Sequence, residues 1–182
     1  MRWQMKACRP GGGWAARWAG GLVLLTGLAV SAVPAQAAAA EPLDWHGTVV
    51  HVTDGDTLWV RPQRGGAPRA IRVDGIDAPE LCQLHGQTAR SALVGRVLGQ
   101  VVQVRVRRHD DYGRALARVR IQGRDVGGWL VREGHAWSYR YRGHPGPYAA
   151  LERAARAQRR GLFSVPGAQR PRDFRRRHGA CH

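Results

Sequence analysis

The chain has 182 residues, a formal net charge of +16 and an apolar fraction of 43%. Its length suits one domain, and its apolar content supports a hydrophobic core, which excludes a globally disordered chain. The excess of positive charge favours an acidic partner such as nucleic acid.

The first 37 residues have the pattern of a secretory signal peptide. Four basic residues and no acidic ones precede an apolar run at 19–30, which is too short to cross a bilayer as an ordinary helix. Ala35-Gln36-Ala37 then supplies the small residues of a cleavage site. We therefore expect an exported protein, periplasmic or extracellular, with no membrane contact after cleavage. An uncleaved N-terminal anchor is the alternative.

Three short strands are predicted first. Residues 46–52 and 57–61 alternate and are rich in β-branched side chains, and the Asp54-Gly55 turn separates them. A third strand at 69–73 places Arg72 on the face opposite its aliphatic neighbours. The pattern is therefore that of a β-rich domain.

Helices and strands are mixed in the rest of the domain. A helix is predicted at 84–98, where apolar residues recur at every fourth position and a glycine follows. An amphipathic strand at 100–107 comes next, and a fifth strand follows a turn at 109–114. Apolar residues around Trp129 mark a short helix, and 148–160 form a longer one.

Five short strands, interrupted by one helix and followed by others, predict a mainly β protein with helices (α+β). The expected architecture is a five-stranded Greek-key barrel with about three helices packed on it, which is the layout of the OB-fold. This domain would cover residues 45–165, after a short linker at 38–44. The basic tail at 166–182 contains proline and is expected to be mobile except where Cys181 holds it.

Two cysteines, Cys82 and Cys181, remain once the predicted signal peptide and its Cys8 are removed. In an oxidising compartment an isolated pair most simply forms a disulfide. Such a bond would tie the C-terminal tail to the middle of the domain across a long loop. Two unpaired thiols are the alternative.

Three carboxylates and two arginines stand out in four short motifs. The motifs are Asp54-Gly55-Asp56-Thr57, Arg72, the stretch from Asp74 to Glu80, and Asp111-Tyr112-Gly113-Arg114. Asp56, Asp77 and Glu80 supply carboxylate oxygens, which suit a hard cation. Arg72 and Arg114 offer planar forks that match a phosphate. Together these groups predict metal-assisted cleavage of a phosphodiester.

Each motif taken alone has a simpler explanation. Asp54-Gly55 is a common hairpin turn, the residues from Asp77 to Glu80 could begin a helix, and Arg114 could be a surface turn residue. The occurrence of all four motifs in one chain favours the functional interpretation.

The order of strand, Asp-Gly-Asp-Thr, arginine, Asp-x-Pro-Glu, helix, Tyr-Gly-Arg and strand resembles the staphylococcal nuclease (thermonuclease) family over residues 45–163. The resemblance implies a five-stranded barrel of the OB type. It also implies a calcium-dependent nuclease that hydrolyses DNA and RNA and leaves 3′-phosphates. We expect nucleic acid as the substrate, no stable protein partner, and a monomer.

The resemblance also implies a metal site and a general base. Asp56 and Asp77 would be the carboxylate ligands of calcium (Ca2+), and the backbone carbonyl of Ala78 would be a third ligand. Glu80 would take the general-base position near the attacking water.

The substrate contacts follow from the same resemblance. Arg72 and Arg114 would bind the scissile phosphate. Tyr112 stands where the family has a tyrosine at the nucleotide pocket, and Tyr139 and Tyr141 resemble a pair that contacts the nucleotide.

Two other functions remain open. One is a non-catalytic nucleic-acid-binding OB-fold module, and the other is a calcium-stabilised exported protein that binds another polyanion. A pure binding module has no need for carboxylates at a polyanion site. The joint presence of Arg72, Glu80 and Arg114 therefore argues against it.

Overall fold

The computed structural model describes residues 43–179 and Cys181. The predicted signal peptide at 1–37 and most of the predicted linker at 38–44 lie outside these residues. The strands are β1 (Asp44–Val52), β2 (Thr57–Pro62), β3 (Arg69–Val73), β4 (Ile76–Asp77), β5 (Val101–His109), β6 (Ala115–Ile121), β7 (Arg124–Asp125) and β8 (Trp137–Ser138). The helices are α1 (Gly86–Val97), α2 (Val126–Arg132), α3 (Ala149–Ala157) and α4 (Pro171–His178), with a 3-10 turn at Gly161–Ser164.

Five of the strands close into a barrel. Neighbouring strands pair in the order β3-β2-β1-β5-β6, and the parallel pairing of β3 with β6, which sets Ile71 opposite Ala115, closes the ring. The short β7 extends the sheet beyond β6. The prediction of a five-stranded OB-fold barrel with packed helices is confirmed.

Aliphatic side chains at alternate positions of the strands fill the interior of the barrel. In β5, Val102, Val104 and Val106 are buried, whereas the residues between them are more exposed. Side chains alternate between the two faces of a strand, so one face of each strand lines the core. Burying one valine contributes about 1.5–3 kcal/mol relative to leaving it exposed.

Helix α1 packs its apolar face on the barrel. Its buried residues Ala89, Leu93 and Val97 recur at every fourth position, as predicted. The helix begins at Gly86, two residues later than expected, because the preceding residues form turns. The short and long helices predicted after the barrel are α2 and α3. Within the described residues, no helix is both long and apolar enough to span a membrane.

The C-terminal tail is more ordered than the sequence predicts. In place of a mobile segment, Pro171–His178 form helix α4, so the described part of the chain has a fourth α-helix. Proline at the start, Asp173 in the first turn and basic residues in the last turn all suit a helix and its dipole. The predicted disulfide between Cys82 and Cys181 is present, with Cα atoms 5.7 Å apart.

Candidate active site

One arginine joins two buried aspartates at the edge of the barrel. Asp56, just before β2, lies beside Arg72 because Thr57 and Arg72 are paired in the β2–β3 ladder. Arg72 donates from Nη1 to Oδ1 of Asp56 (2.8 Å) and from Nη2 to Oδ1 of Asp77 (3.3 Å). The fold therefore brings together three of the predicted site residues.

The turn before β2 presents Asp56 to this cluster. Oδ1 of Asp54 accepts hydrogen bonds from the backbone N of Asp56 (2.9 Å) and of Thr57 (2.7 Å), which forms an Asx turn. Gly55 is required here, because a Cβ at this position would lie 2.8 Å from the Cβ of Ala78. Asp54 is thus a turn residue, whereas Asp56 points into the site.

A pairing of two very short strands holds Asp77. Strand β4 runs antiparallel to β8, which sets Asp77 opposite Trp137. The next residue, Ala78, donates its backbone N–H to Oδ2 of Asp56 (3.1 Å). Both aspartates therefore have fixed positions, and the Ala78 backbone lies next to them.

Glu80 lies on the loop between β4 and α1, and its carboxylate contacts helix α4. Its Oε1 accepts a hydrogen bond from Nη1 of Arg175. The start of α1 packs closely on this loop, because a Cβ on Gly86 would lie 1.9 Å from the Glu80 carbonyl oxygen. Sequence reasoning missed Arg175. The signal that could have found it is the cysteine pair, since Cys82 brings Cys181 and the basic tail next to Glu80.

The carboxylate cluster carries unfavourable electrostatic energy. Asp56 and Asp77 are only 3% and 6% exposed. Burial and the Asp56 carboxylate raise the pKa of Asp77 to about 6, against the lowering effect of Arg72 and Arg175. Burial and Asp56 likewise raise the pKa of Asp54, while the Asp56 carboxylate raises the pKa of Arg72. Additional positive charge in this site would therefore be stabilising.

The oxygen atoms of this cluster are of the kind that hard cations prefer. Among residues 43–179 and 181, no group of three acidic, histidine or cysteine side chains is arranged to hold a metal ion. The carboxylates of Asp56 and Asp77 and the carbonyl of Ala78 nevertheless supply oxygen atoms, which hard cations prefer. The raised pKa of Asp77 fits this interpretation, since burial and the Asp56 carboxylate disfavour its charged form and a cation would favour it. The calcium ion itself stays a prediction.

Arg114 is held by an acidic residue that sequence reasoning missed. Its Nε donates to Oδ2 of Asp110 (2.8 Å), and its backbone N donates to Oδ1 of the same residue (2.9 Å). Partial burial raises the pKa of Asp110, but the hydrogen bonds from Arg114 and Tyr112 outweigh this effect and lower it. Arg114 pairs with Asp110 rather than with Asp56 or Asp77, so its place in the site rests on the β3–β6 pairing alone.

The three predicted nucleotide-contacting tyrosines are exposed. Tyr112 stacks under Arg114, with the guanidinium carbon 5.3 Å from the ring centroid. The backbone N of Tyr139 donates to the carbonyl of Gly75 (2.9 Å), which ties it to the turn before β4. Tyr141 follows in a turn closed by a bridge to His144. Exposed aromatic rings are suitable for stacking on bases, but the structure shows no contact that assigns them this role.

The architecture and the cluster define the class of protein: an OB-fold protein with two buried aspartates joined by one arginine at the edge of its barrel. The family model described as staphylococcal nuclease homologue matches residues 70–165. The chain is 39% identical to micrococcal nuclease of Shigella flexneri over 144 residues, which cover 73% of this chain and 82% of that protein. It therefore belongs to the staphylococcal nuclease family.

Other relatives have similar identity. The protein ParB of Escherichia coli is 38% identical over 141 residues, which cover 71% of this chain and 78% of the relative. An uncharacterized endonuclease of Escherichia coli O157:H7 is 38% identical over 122 residues, which cover 66% of this chain and 78% of the relative. In each of these comparisons the similarity extends over about two thirds or more of both proteins.

Proposed function

We propose that the chain is a calcium-dependent endonuclease that hydrolyses DNA and RNA and leaves 3′-phosphate products. Membership of the staphylococcal nuclease family supports a nuclease function. The observation that carries the proposal is the double ion pair of Arg72 with Asp56 and Asp77. The net charge of +16 also suits a polyanionic substrate.

In this proposal Asp56, Asp77 and the carbonyl of Ala78 would hold the calcium ion. When bound, the ion supplies Lewis-acid polarisation of the phosphodiester. Because the pKa of Asp77 is raised to about 6, this carboxyl group would have to lose its proton at acidic pH before it could act as a ligand. The two aspartates are already fixed by Arg72 and by backbone hydrogen bonds, which lowers the entropy cost of forming the site.

Glu80 is the proposed general base. Its carboxylate takes a proton from the water as the water oxygen bonds to phosphorus. The bond from phosphorus to the 5′-oxygen breaks, the 5′-oxygen takes up a proton from solvent, and the phosphate stays on the 3′-oxygen. Arg72 and Arg114 bind the phosphoryl oxygens and stabilise the negative charge that grows in the transition state. Asp110 engages only the Nε of Arg114, so both Nη groups can still form a fork to phosphate.

We further propose that the protein acts as an exported monomer, in the periplasm or outside the cell. The signal-like pattern of residues 1–37 supports export. The disulfide between Cys82 and Cys181 supports an oxidising compartment.

Cleavage assays with end-labelled DNA and RNA, in calcium or in excess chelator, test the proposal. We expect cleavage in calcium and loss of cleavage in chelator. The products should carry 3′-phosphate groups that a phosphatase removes. Glu80→Gln should abolish turnover while leaving the melting temperature and nucleic-acid binding in place. Glu133→Gln is the matched control, because it makes the same change at a glutamate that pairs with Arg132 and Arg160.

Three results would each refute a part of the assignment. Binding that is unaffected by chelator, with no cleavage under any divalent cation, identifies a non-catalytic OB-fold module instead. Undiminished cleavage in chelator removes the metal from the mechanism, and full activity in Glu80→Gln removes this residue as the base.

A further inference from the structure

Helix α4 is fastened to the domain at both ends. Before the helix, Arg170 donates from Nη2 to Oε1 of the buried Glu152 (2.7 Å). After the helix, Cys181 is joined to Cys82, which follows Glu80 by two residues. The helix therefore has a fixed position against the candidate active site.

Arg175 of this helix sets its guanidinium on the carboxylate proposed as the general base. Nη1 of Arg175 donates to Oε1 of Glu80, and the Arg175 charge also acts on Asp77. The side chains are 41% and 22% exposed, respectively. Ion pairs with this degree of exposure are weak and are weakened further by competing ions. The Arg175–Glu80 ion pair therefore lies on the proposed general base and is weak enough for a competing anion to break it.

The contact and the proposed chemistry make opposing demands on Glu80. While Oε1 of Glu80 accepts this hydrogen bond, it is not free to take a proton from water, and only Oε2 is left for that role. The guanidinium of Arg175 makes one hydrogen bond to Glu80, whereas two phosphate oxygens can accept two from it in a fork. A nucleic acid that carries a second phosphate near the scissile one would therefore compete with Glu80 for Arg175.

We propose that Arg175 determines substrate length: it occupies Glu80 in the free protein and moves to a neighbouring phosphate when a polynucleotide binds. This inference rests on the proposed function, because it requires Glu80 to act as the base. A dinucleotide has only the scissile phosphate, so it binds without drawing Arg175 away. A longer strand frees the base and gains a charged contact in the same step.

Single-turnover cleavage of a thymidine dinucleotide and of a longer oligothymidylate tests the inference. Arg175→Ala should raise the rate on the dinucleotide about two- to fivefold and lower kcat/KM on the longer strand by a similar factor, as expected for one partly exposed ion pair. Arg176→Ala is the matched control, because Arg176 lies on the same helix but pairs with Asp173. This control should leave both rates, and hence their ratio, unchanged.

The outcomes separate the inference from the proposed function. If the parent protein cleaves both substrates and Arg175→Ala leaves their ratio unaltered, or lowers both rates together, the length-selection role is wrong and the nuclease assignment stands. If the parent protein cleaves neither substrate in any divalent cation, both ideas fail. Melting temperatures within error of the parent confirm that the variants are folded.

Discussion

The disulfide between Cys82 and Cys181 allows a quantitative prediction. The two residues are separated by 99 positions, so the bond closes a loop that contains most of the described chain. In the native state, α4 also remains attached through Arg170 and Glu152 when the bond is removed. The main effect of the bond is therefore to restrict the unfolded chain.

The expected size follows from loop-closure entropy. A closed loop of about 100 residues stabilises the native state by about 4.7 kcal/mol in the chain-entropy model. At roughly 2–4 °C per kcal/mol for a protein of this size, replacing both cysteines with serine should lower the melting temperature by about 10–20 °C. Reducing agent should lower the melting temperature of the parent protein by the same amount.

Differential scanning calorimetry with and without reducing agent measures this effect. The Cys82→Ser/Cys181→Ser variant provides the internal control, because reducing agent should then change nothing. Cys8 lies within the predicted signal peptide and is replaced by serine in all samples. A melting temperature that is unchanged by reduction or by the double substitution would refute a stabilising bond and the loop-closure argument with it.

The remaining predictions concern the site. Arg114→Ala should lower kcat about 10²–10³-fold, as for the loss of one preorganised donor. Asp110→Asn removes only the charge that orients Arg114, so it should lower kcat less. A larger loss of kcat in Asp110→Asn than in Arg114→Ala would contradict the assigned roles. The pKa of Asp77 is raised from 3.8 to about 6, so the native state binds this proton more tightly than the unfolded state. In chelator, the parent protein should therefore lose stability relative to Asp77→Asn as the pH rises from about 4 to 6. Urea unfolding at each pH measures this difference, and parallel pH profiles for the two proteins would exclude the raised pKa.

The barrel strands were predictable because each carries its own periodic signal. In β5, the valines at 102, 104 and 106 alternate with polar residues, and the structure buries them as the alternation requires. Helix α1 likewise repeats its apolar residues at every fourth position. Such patterns identify each element and its inward face. The closure of the five strands into a barrel depends on the distant pairing of β3 with β6, and it was predicted from the resemblance to the family.

The parts of the site that escaped prediction depend on contacts between distant segments. Strands β4 and β8 have two residues each, which is too short for any periodicity, yet their pairing fixes Asp77 opposite Trp137. The residues of helix α4 are strongly polar, so the sequence predicts a solvated tail. In the structure, the pairing of Arg170 with Glu152 and the disulfide attach this segment to the domain. The sequence therefore identifies which groups can carry the chemistry, whereas the fold determines what each group contacts before substrate arrives. For Glu80 that contact is Arg175, and in our proposal a polynucleotide breaks it by offering Arg175 a second phosphate.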